Sequence, residues 1–217
     1  MSHLIAPSIL TANFLELRAA VEMINGSEAD WLHLDIMDGV FVPNMTFGFP
    51  IIKLIKEIST KPLDTHLMIV EPDRHLERFR DAGADMLTVH YETCTHLDRT
   101  IDTIKSLGMK AGVAINPHTS VHLLENVLPA LDLVLNMTVN PGYGAQSFIE
   151  YSYQKIRQLR EMRDQSGSKA LIQIDGGVGL GNLAGLREAG VDVFVVGNTI
   201  FASDDPVKTI RQLKEIH

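Results

Sequence analysis

Two hydrophobic periods take turns along this chain. Short, nearly continuous apolar runs recur at Leu4–Leu10, Trp31–Met37, Leu63–Ile69, Met86–His90, Lys110–Ile115, Leu131–Val139, Ala170–Ile174 and Val193–Val196. Runs such as Leu131-Asp132-Leu133-Val134-Leu135 and Val193-Phe194-Val195-Val196 lack the strict polar alternation of a half-exposed strand. Parallel strands covered on both faces read this way. Between the runs lie segments with a helical period. One starts near Asn13, sets Phe14, Leu17, Val21 and Ile24 on one face, and stops at Asn25-Gly26. After the Pro43-Asn44 loop the period predicts helices over 49–59, from Pro72 to Ala82-Gly83, and around Leu97, Ile101 and Ile104 up to Gly108. Further helices are predicted over 120–127, 149–163, 182–189 and 206–216, with a short turn at 199–202. Pro72 suits a first helical turn, and Gly after the last apolar position is C-cap chemistry. Ala82-Gly83-Ala84-Asp85 and Ala189-Gly190-Val191-Asp192 repeat that chemistry at two helix-to-strand joints.

Eight strand–helix units with no Pro/Ser-rich linker predict an α/β protein, one (β/α)8 TIM barrel spanning 1–217. The rival is a doubly wound open sheet. It needs a Gly-rich turn after the first strand, and Ala6-Pro7-Ser8-Ile9-Leu10 has no such turn.

Composition narrows the setting. With 217 residues, 45% of them hydrophobic, one substantial core is within reach. No apolar run attains the ~18 residues of a membrane span. Met1-Ser2-His3 opens no signal-peptide pattern. Cys94 is the only cysteine, so no intrachain disulfide forms, and it reads as a small packed residue. These features predict a cytoplasmic protein without a membrane partner. The net charge of −8 and the lack of basic runs speak against nucleic-acid or anionic-membrane binding. An anionic ligand must therefore be held by local groups.

In a barrel, chemistry sits at the C-terminal ends of the strands. Ser8, His33, Asp35, Met37, His66, Met68, His90, Met137, Asp175 and Gly197 all fall there. Alternate strand residues share a face, so His33, Asp35 and Met37 point one way and Leu32, Leu34 and Ile36 the other. His66 and Met68 repeat the pattern. Buried imidazoles and carboxylates need partners. Two His and two Asp from three strand ends suit a divalent metal: Zn2+, Mn2+, Fe2+ or Co2+. The plainer reading makes His33 and His66 hydrogen-bonded barrel residues with Asp35 and Asp175 as ion partners. His90 reads either as a packed histidine or as a neighbour of the site. His3, His75, His96, His118, His122 and His217 read as surface or helix residues.

Gly176-Gly177 and Gly197-Asn198 follow consecutive strands, where backbone amides bind phosphate without Lys or Arg. The Pro141–Gln146 loop is placed to close over the same end, Met37, Met68 and Met137 to wall a pocket, and Asp38-Gly39 to make a turn. A metal flanked by two carboxylates suggests proton chemistry beside a carbonyl. One carboxylate removes a proton and the other returns one to the opposite face, inverting a stereocentre. Neither Cys94 nor Ser8 has a base arranged as in a nucleophilic triad.

These residues closely resemble the ribulose-phosphate 3-epimerase family. The matching segments are Ala6–Leu10, Ala29–Asn44, His66–Ile69, Met137–Gly144, Asp175–Val178 and Gly197-Asn198, in order along nearly the whole chain. The resemblance implies a barrel of the ribulose-phosphate-binding type and one divalent metal on His33, Asp35, His66 and Asp175. It implies Asp35 as proton acceptor and Asp175 as proton donor, exchanging roles in reverse. Ser8 and His66 would contact the sugar. The backbone at Gly142, Tyr143, Gly144, Ala145, Gly176, Gly177, Gly197 and Asn198 would hold the phosphate. Met37, Met68 and Met137 would line the reacting centre. The implied reaction interconverts D-ribulose 5-phosphate and D-xylulose 5-phosphate in the pentose phosphate pathway, and small barrels of this kind often form homo-oligomers.

Two positions depart from the common pattern. Ala145 stands where a second Gly is usual, which predicts a loss of freedom for positive φ. Asn198 stands where Ser is common and keeps a side-chain donor. A sister epimerase for a hexulose 6-phosphate such as D-allulose 6-phosphate would share the metal and both aspartates, but Asp175-Gly176-Gly177 fits the pentose enzyme better. Decarboxylases of the superfamily resemble one another in an Asp-x-Lys-x-x-Asp signature, and no Asp here has Lys two positions on. A non-catalytic sugar-phosphate-binding barrel has no need of both carboxylates and all four ligands.

Overall fold

The computed structural model describes residues 3–216. Eight strands, β1 (Leu4–Pro7), β2 (Leu32–Met37), β3 (Leu63–Met68), β4 (Met86–His90), β5 (Lys110–Ile115), β6 (Leu133–Met137), β7 (Leu171–Asp175) and β8 (Val193–Val196), form one parallel sheet. Neighbours pair in chain order, β8 returns to β1, and a single parallel bridge between Ser8 and His33 closes the ring. Outside lie α1 (Leu17–Asn25), α2 (Phe49–Ile58), α3 (Leu76–Ala82), α4 (Leu97–Ser106), α5 (Ser152–Ser166), α6 (Leu183–Ala189), the one-turn α7 (Asn198–Phe201) and α8 (Pro206–Glu215). This is the (β/α)8 barrel that the alternating periods predict. No described helix is long and apolar enough to cross a membrane.

Strand alternation divides the apolar side chains. Leu32, Leu34, Leu67 and Leu87 face outward and pack with Val21, Ile24, Ile52, Phe79 and Ile104 of the helices. Burial of this layer is the main favourable contribution to folding, at about 25 cal/mol per Å2 of apolar surface. Inside, Leu133, Leu135 and Met137 cluster with Met86 and Ala114, and Ala6 with Val193 and Val195. The interior is therefore lopsided. β1, β5, β6 and β8 fill it with apolar groups, while His33, Asp35, Asp64, His66, Thr88, His90 and Gln173 are buried on β2, β3, β4 and β7.

Several boundaries differ from expectation for local reasons. β1 ends at Pro7, not Leu10, because Ser8 caps a 3-10 turn over Ile9–Thr11 through its side chain. Asn13 caps a second 3-10 turn, Phe14–Glu16, so α1 starts only at Leu17 and Phe14 stays largely exposed. β6 covers Leu133–Met137 only. α5 lies three residues later than predicted, up to Gly167 at φ +69. The segment expected as a helix over 120–127 is two 3-10 turns, Val121–Leu124 and Leu128–Ala130. It is too short to nucleate well, and Pro129 removes a donor from any continuation. His3 is buried, not at the surface: its Nε2 lies 2.8 Å from the Leu213 carbonyl, because α8 packs against the start of β1. His96, His118 and His122 are exposed, and His217 lies outside the described residues. Cys94 is half-buried, and burial raises its thiol to about 11, which suits a packing role. Asp38 and Gly39 make the expected turn, with Asp38 Oδ1 accepting from the Val40 and Phe41 N–H groups and Gly39 at φ +73.

Candidate active site

β2 and β3 run in register, which sets Asp35 beside His66 and His33 beside Asp64. Asp35 Oδ1 lies 3.3 Å from His33 Nε2 and 3.1 Å from His66 Nδ1. Its other oxygen, Oδ2, accepts from the Ser8 hydroxyl at 2.6 Å. The Thr46 hydroxyl donates to the Asp35 carbonyl at 2.7 Å and accepts from the Met37 N–H, which fixes the end of β2. Asp175 arrives from β7, and one ligating atom each from His33, Asp35, His66 and Asp175 lies within 4.8 Å of the others. The His33 ring is held from behind: its Nδ1 is 2.7 Å from Asp64 Oδ2, which also accepts from Gln173 Nε2 at 2.6 Å. His33 Nε2 is buried with no hydrogen-bond partner. An unpartnered imidazole nitrogen aimed at two carboxylates and a second imidazole is the donor set a divalent cation takes. The residues fit a metal.

Burial disfavours a charged His33, yet the carboxylates of Asp35 and Asp64 raise its pKa well above the usual value. Burial also opposes the Asp35 carboxylate, and the neighbouring His33 is the largest influence against burial; Asp35 is held far below the usual range. Burial dominates at His66 and lowers it to about 4. At Asp175 burial and the neighbouring Asp35 charge act together and push the carboxyl up to about 7. Of the two aspartates, one is kept ionised and the other protonatable near neutrality.

A cavity of about 420 Å3 opens over this centre. Asp35, Asp175 and Ser8 reach it, with Met37, Met68 and Met137. His33 and His66 are fully buried and do not line it. Gly142, Tyr143, Gly144, Ala145, Gly176, Gly177, Gly197 and Asn198 all do, and no Lys or Arg lines it among the described residues. Neutral donors alone are therefore offered to an anion there: backbone N–H groups of the glycine-rich turns and side chains such as Gln146, Asn182 and Thr199. Gly176 and Gly177 sit at φ +115 and +66, and a Cβ on Gly177 would come within 2.5 Å of the Phe148 nitrogen. The Thr138 hydroxyl shares its one hydrogen between the Asp175 and Gly176 carbonyls, at 2.8 and 2.6 Å, and pins this turn to the end of β6.

The loop after β6 corrects one expectation. Ala145 does take positive φ, at +58, despite its Cβ. The surrounding contacts impose it. Gln146 Nε2 donates to the Asn140 and Tyr143 carbonyls at 2.7 and 2.8 Å. Asn44 Nδ2 donates to the Gly142 carbonyl, and the Tyr143 hydroxyl donates to the Pro43 carbonyl. The loops after β2 and β6 thus form one continuous wall. Asp64 and Gln173, on the same strands as His66 and Asp175, carry no role predicted from sequence. The signal for Asp64 was its place two residues before His66 on the same strand face.

Fold and centre together define a class: a (β/α)8 barrel that gathers two histidines and two aspartates beneath a glycine-rimmed pocket. The comparisons narrow it. Residues 4–201 match the model of the ribulose-phosphate 3 epimerase family, and the chain belongs to that family. It is 46% identical over 211 residues to the ribulose-phosphate 3-epimerase of Bacillus subtilis (strain 168), covering 97% of each chain. It is 41% identical over 213 residues to that of Escherichia coli (strain K12), covering 98% of this chain and 95% of the relative. Among solved structures, it is similar in fold to KGPDC from Streptococcus mutans (TM-score 0.75, 14% identity, 99% and 97% of the chains covered). A 3-hexulose-6-phosphate synthase from Salmonella typhimurium gives a TM-score of 0.73 at 20% identity, with 100% and 98% covered.

Proposed function

We propose that this chain, as one catalytic domain over 1–217, interconverts D-ribulose 5-phosphate and D-xylulose 5-phosphate by inverting C3. The observation that carries the reading is a pair of carboxylates, from β2 and β7, that reach one cavity with opposed proton affinities. Asp35 is ionised and takes the C3 proton, leaving an enediolate. Asp175 is protonated and returns a proton to the opposite face of C3. The pair holds one proton before and after turnover and two while the enediolate stands, and the reverse reaction exchanges the roles. Asp35 Oδ2, turned away from the imidazoles and steadied by the Ser8 hydroxyl, is the oxygen suited to receive it. His33, Asp35, His66 and Asp175 would hold one divalent ion, Zn2+, Fe2+, Mn2+ or Co2+, which supplies positive charge beside the ketose oxygens. Met37, Met68 and Met137 keep water from C3, and the amides at Gly142–Ala145, Gly176-Gly177 and Gly197-Asn198 hold the phosphate.

This reading places the protein in the cytoplasm, in the pentose phosphate pathway, with a small ketose phosphate as its partner. Exposed large apolar side chains at Leu15, Val40 and Met45 support assembly into a homo-oligomer.

Proton NMR of D-ribulose 5-phosphate in D2O with the metal-loaded protein tests the reading. Loss of the C3 signal with growth of xylulose 5-phosphate is expected. Asp175→Asn should lower that rate by roughly 10^2- to 10^4-fold, the usual contribution of a positioned acid–base group. No exchange at C3, with exchange of allulose 6-phosphate in the same tube, would replace the pentose by a hexulose phosphate.

A further inference from the structure

His90 ends β4 and faces the barrel interior with no exposure. Its Nε2 lies 2.9 Å from His66 Nε2, so one of these nitrogens must donate to the other. Its Nδ1 lies 3.0 Å from Glu92 Oε2. Glu92 accepts through its other oxygen from the Asn116 N–H at 2.8 Å and from the Thr119 hydroxyl. Burial works against its charge, and these donors with His90 outweigh burial, holding the carboxyl at about 2. An ionised carboxylate only accepts. His90 Nδ1 therefore carries a hydrogen; in a neutral imidazole that leaves Nε2 as a lone pair, and His66 Nε2 is then the donor. That leaves His66 Nδ1 as a bare lone pair 3.1 Å from Asp35 Oδ1. Two acceptors so close repel unless a cation lies beside both.

We infer that His90 and Glu92 are positioning residues: they commit His66 to one tautomer and aim its Nδ1 lone pair at the cation site. This rests on the metal-centre reading above. Neither residue touches the cavity. The pairing mirrors the one between Asp64 and His33, with an imidazole inserted between carboxylate and ligand. Partners of this kind set ligand orientation and typically contribute 10- to 100-fold in metal affinity.

The test is Co2+ titration of the metal-free full chain, read by visible absorption and by competition with a chromophoric chelator. His90→Leu removes the acceptor and should weaken Co2+ by about 10- to 100-fold and alter the absorption band. His90→Gln keeps an acceptor near the Nε2 position and should recover at least fivefold over the Leu variant. Glu92→Gln can donate as well as accept, frees the tautomer, and should weaken Co2+ about tenfold. Equal affinity in the two His90 variants would reduce His90 to packing and overturn the inference. Glu92→Gln binding within twofold of the parent, with the parent's band, would overturn it even if His90→Leu failed to fold. Absence of a Co2+ band in the parent would instead sink the metal-centre reading itself.

Discussion

Asp175 is held against its own ionisation by burial and by the Asp35 charge. A carboxyl raised to about 7 from an ordinary value of 3.8 adds stability that is complete below about pH 4 and is lost as pH climbs through 7. His66, lowered to about 4, runs the other way: its contribution is present above about 6.5 and is lost as pH falls toward 4. In the metal-free protein, Asp175→Asn should therefore lose less stability than the parent between pH 5 and pH 8, read as urea midpoints. An equal or steeper fall in the variant would show that Asp175 titrates normally. The same residue would link stability to function, because a protonated Asp175 near neutrality is what the proposed reprotonation step needs.

At the scale of an element, the turn after β7 has the least latitude. Gly176 sits at φ +115, and a Cβ there would drive into the Val139 side chain. Both the backbone angle and the close approach exclude an L side chain. Gly176→Ala should cost roughly 1–3 kcal/mol of stability by urea unfolding and raise KM for the phosphate ester, since the turn lines the cavity proposed to hold the phosphate. A variant with parent stability and parent KM would show that the turn yields freely. The two 3-10 turns over 121–130 show the opposite case. No residue of the centre or the cavity rim lies there, and a weakly helical segment suffices to join β5 to β6.

At the scale of the molecule, the polar half of the barrel interior crowds two carboxylates and two imidazoles that a divalent ion would hold together. A ligand bound only by the folded state stabilises it by about 2.7 kcal/mol at 100 times its Kd. For a chain of this size that is on the order of 5–10 °C in Tm. Chelation should lower Tm by about that much and stop turnover, and a returned divalent metal should restore both. An unchanged Tm with full turnover after exhaustive chelation would remove the metal from the account.

The eight units, the inward and outward faces of β2 and β3, and the residues of the centre were legible along the chain. Alternation in a strand and amphipathic spacing in a helix are local rules, and Leu32-His33-Leu34-Asp35 displays its two faces without help. The segments resembling the epimerase family added roles that periodicity alone leaves open. Tertiary structure alone decided which side chains face which across the barrel. Gln173 meets Asp64 across 109 positions of sequence, and His90 meets His66 across 24. Those meetings depend on strand register and on closure between Ser8 and His33, set by the packing of the whole ring. The positive φ of Ala145 was hidden for a related reason: Asn44 and Tyr143 tie the loop to its neighbour and Gln146 braces it from within, while intrinsic preference at that residue opposes it.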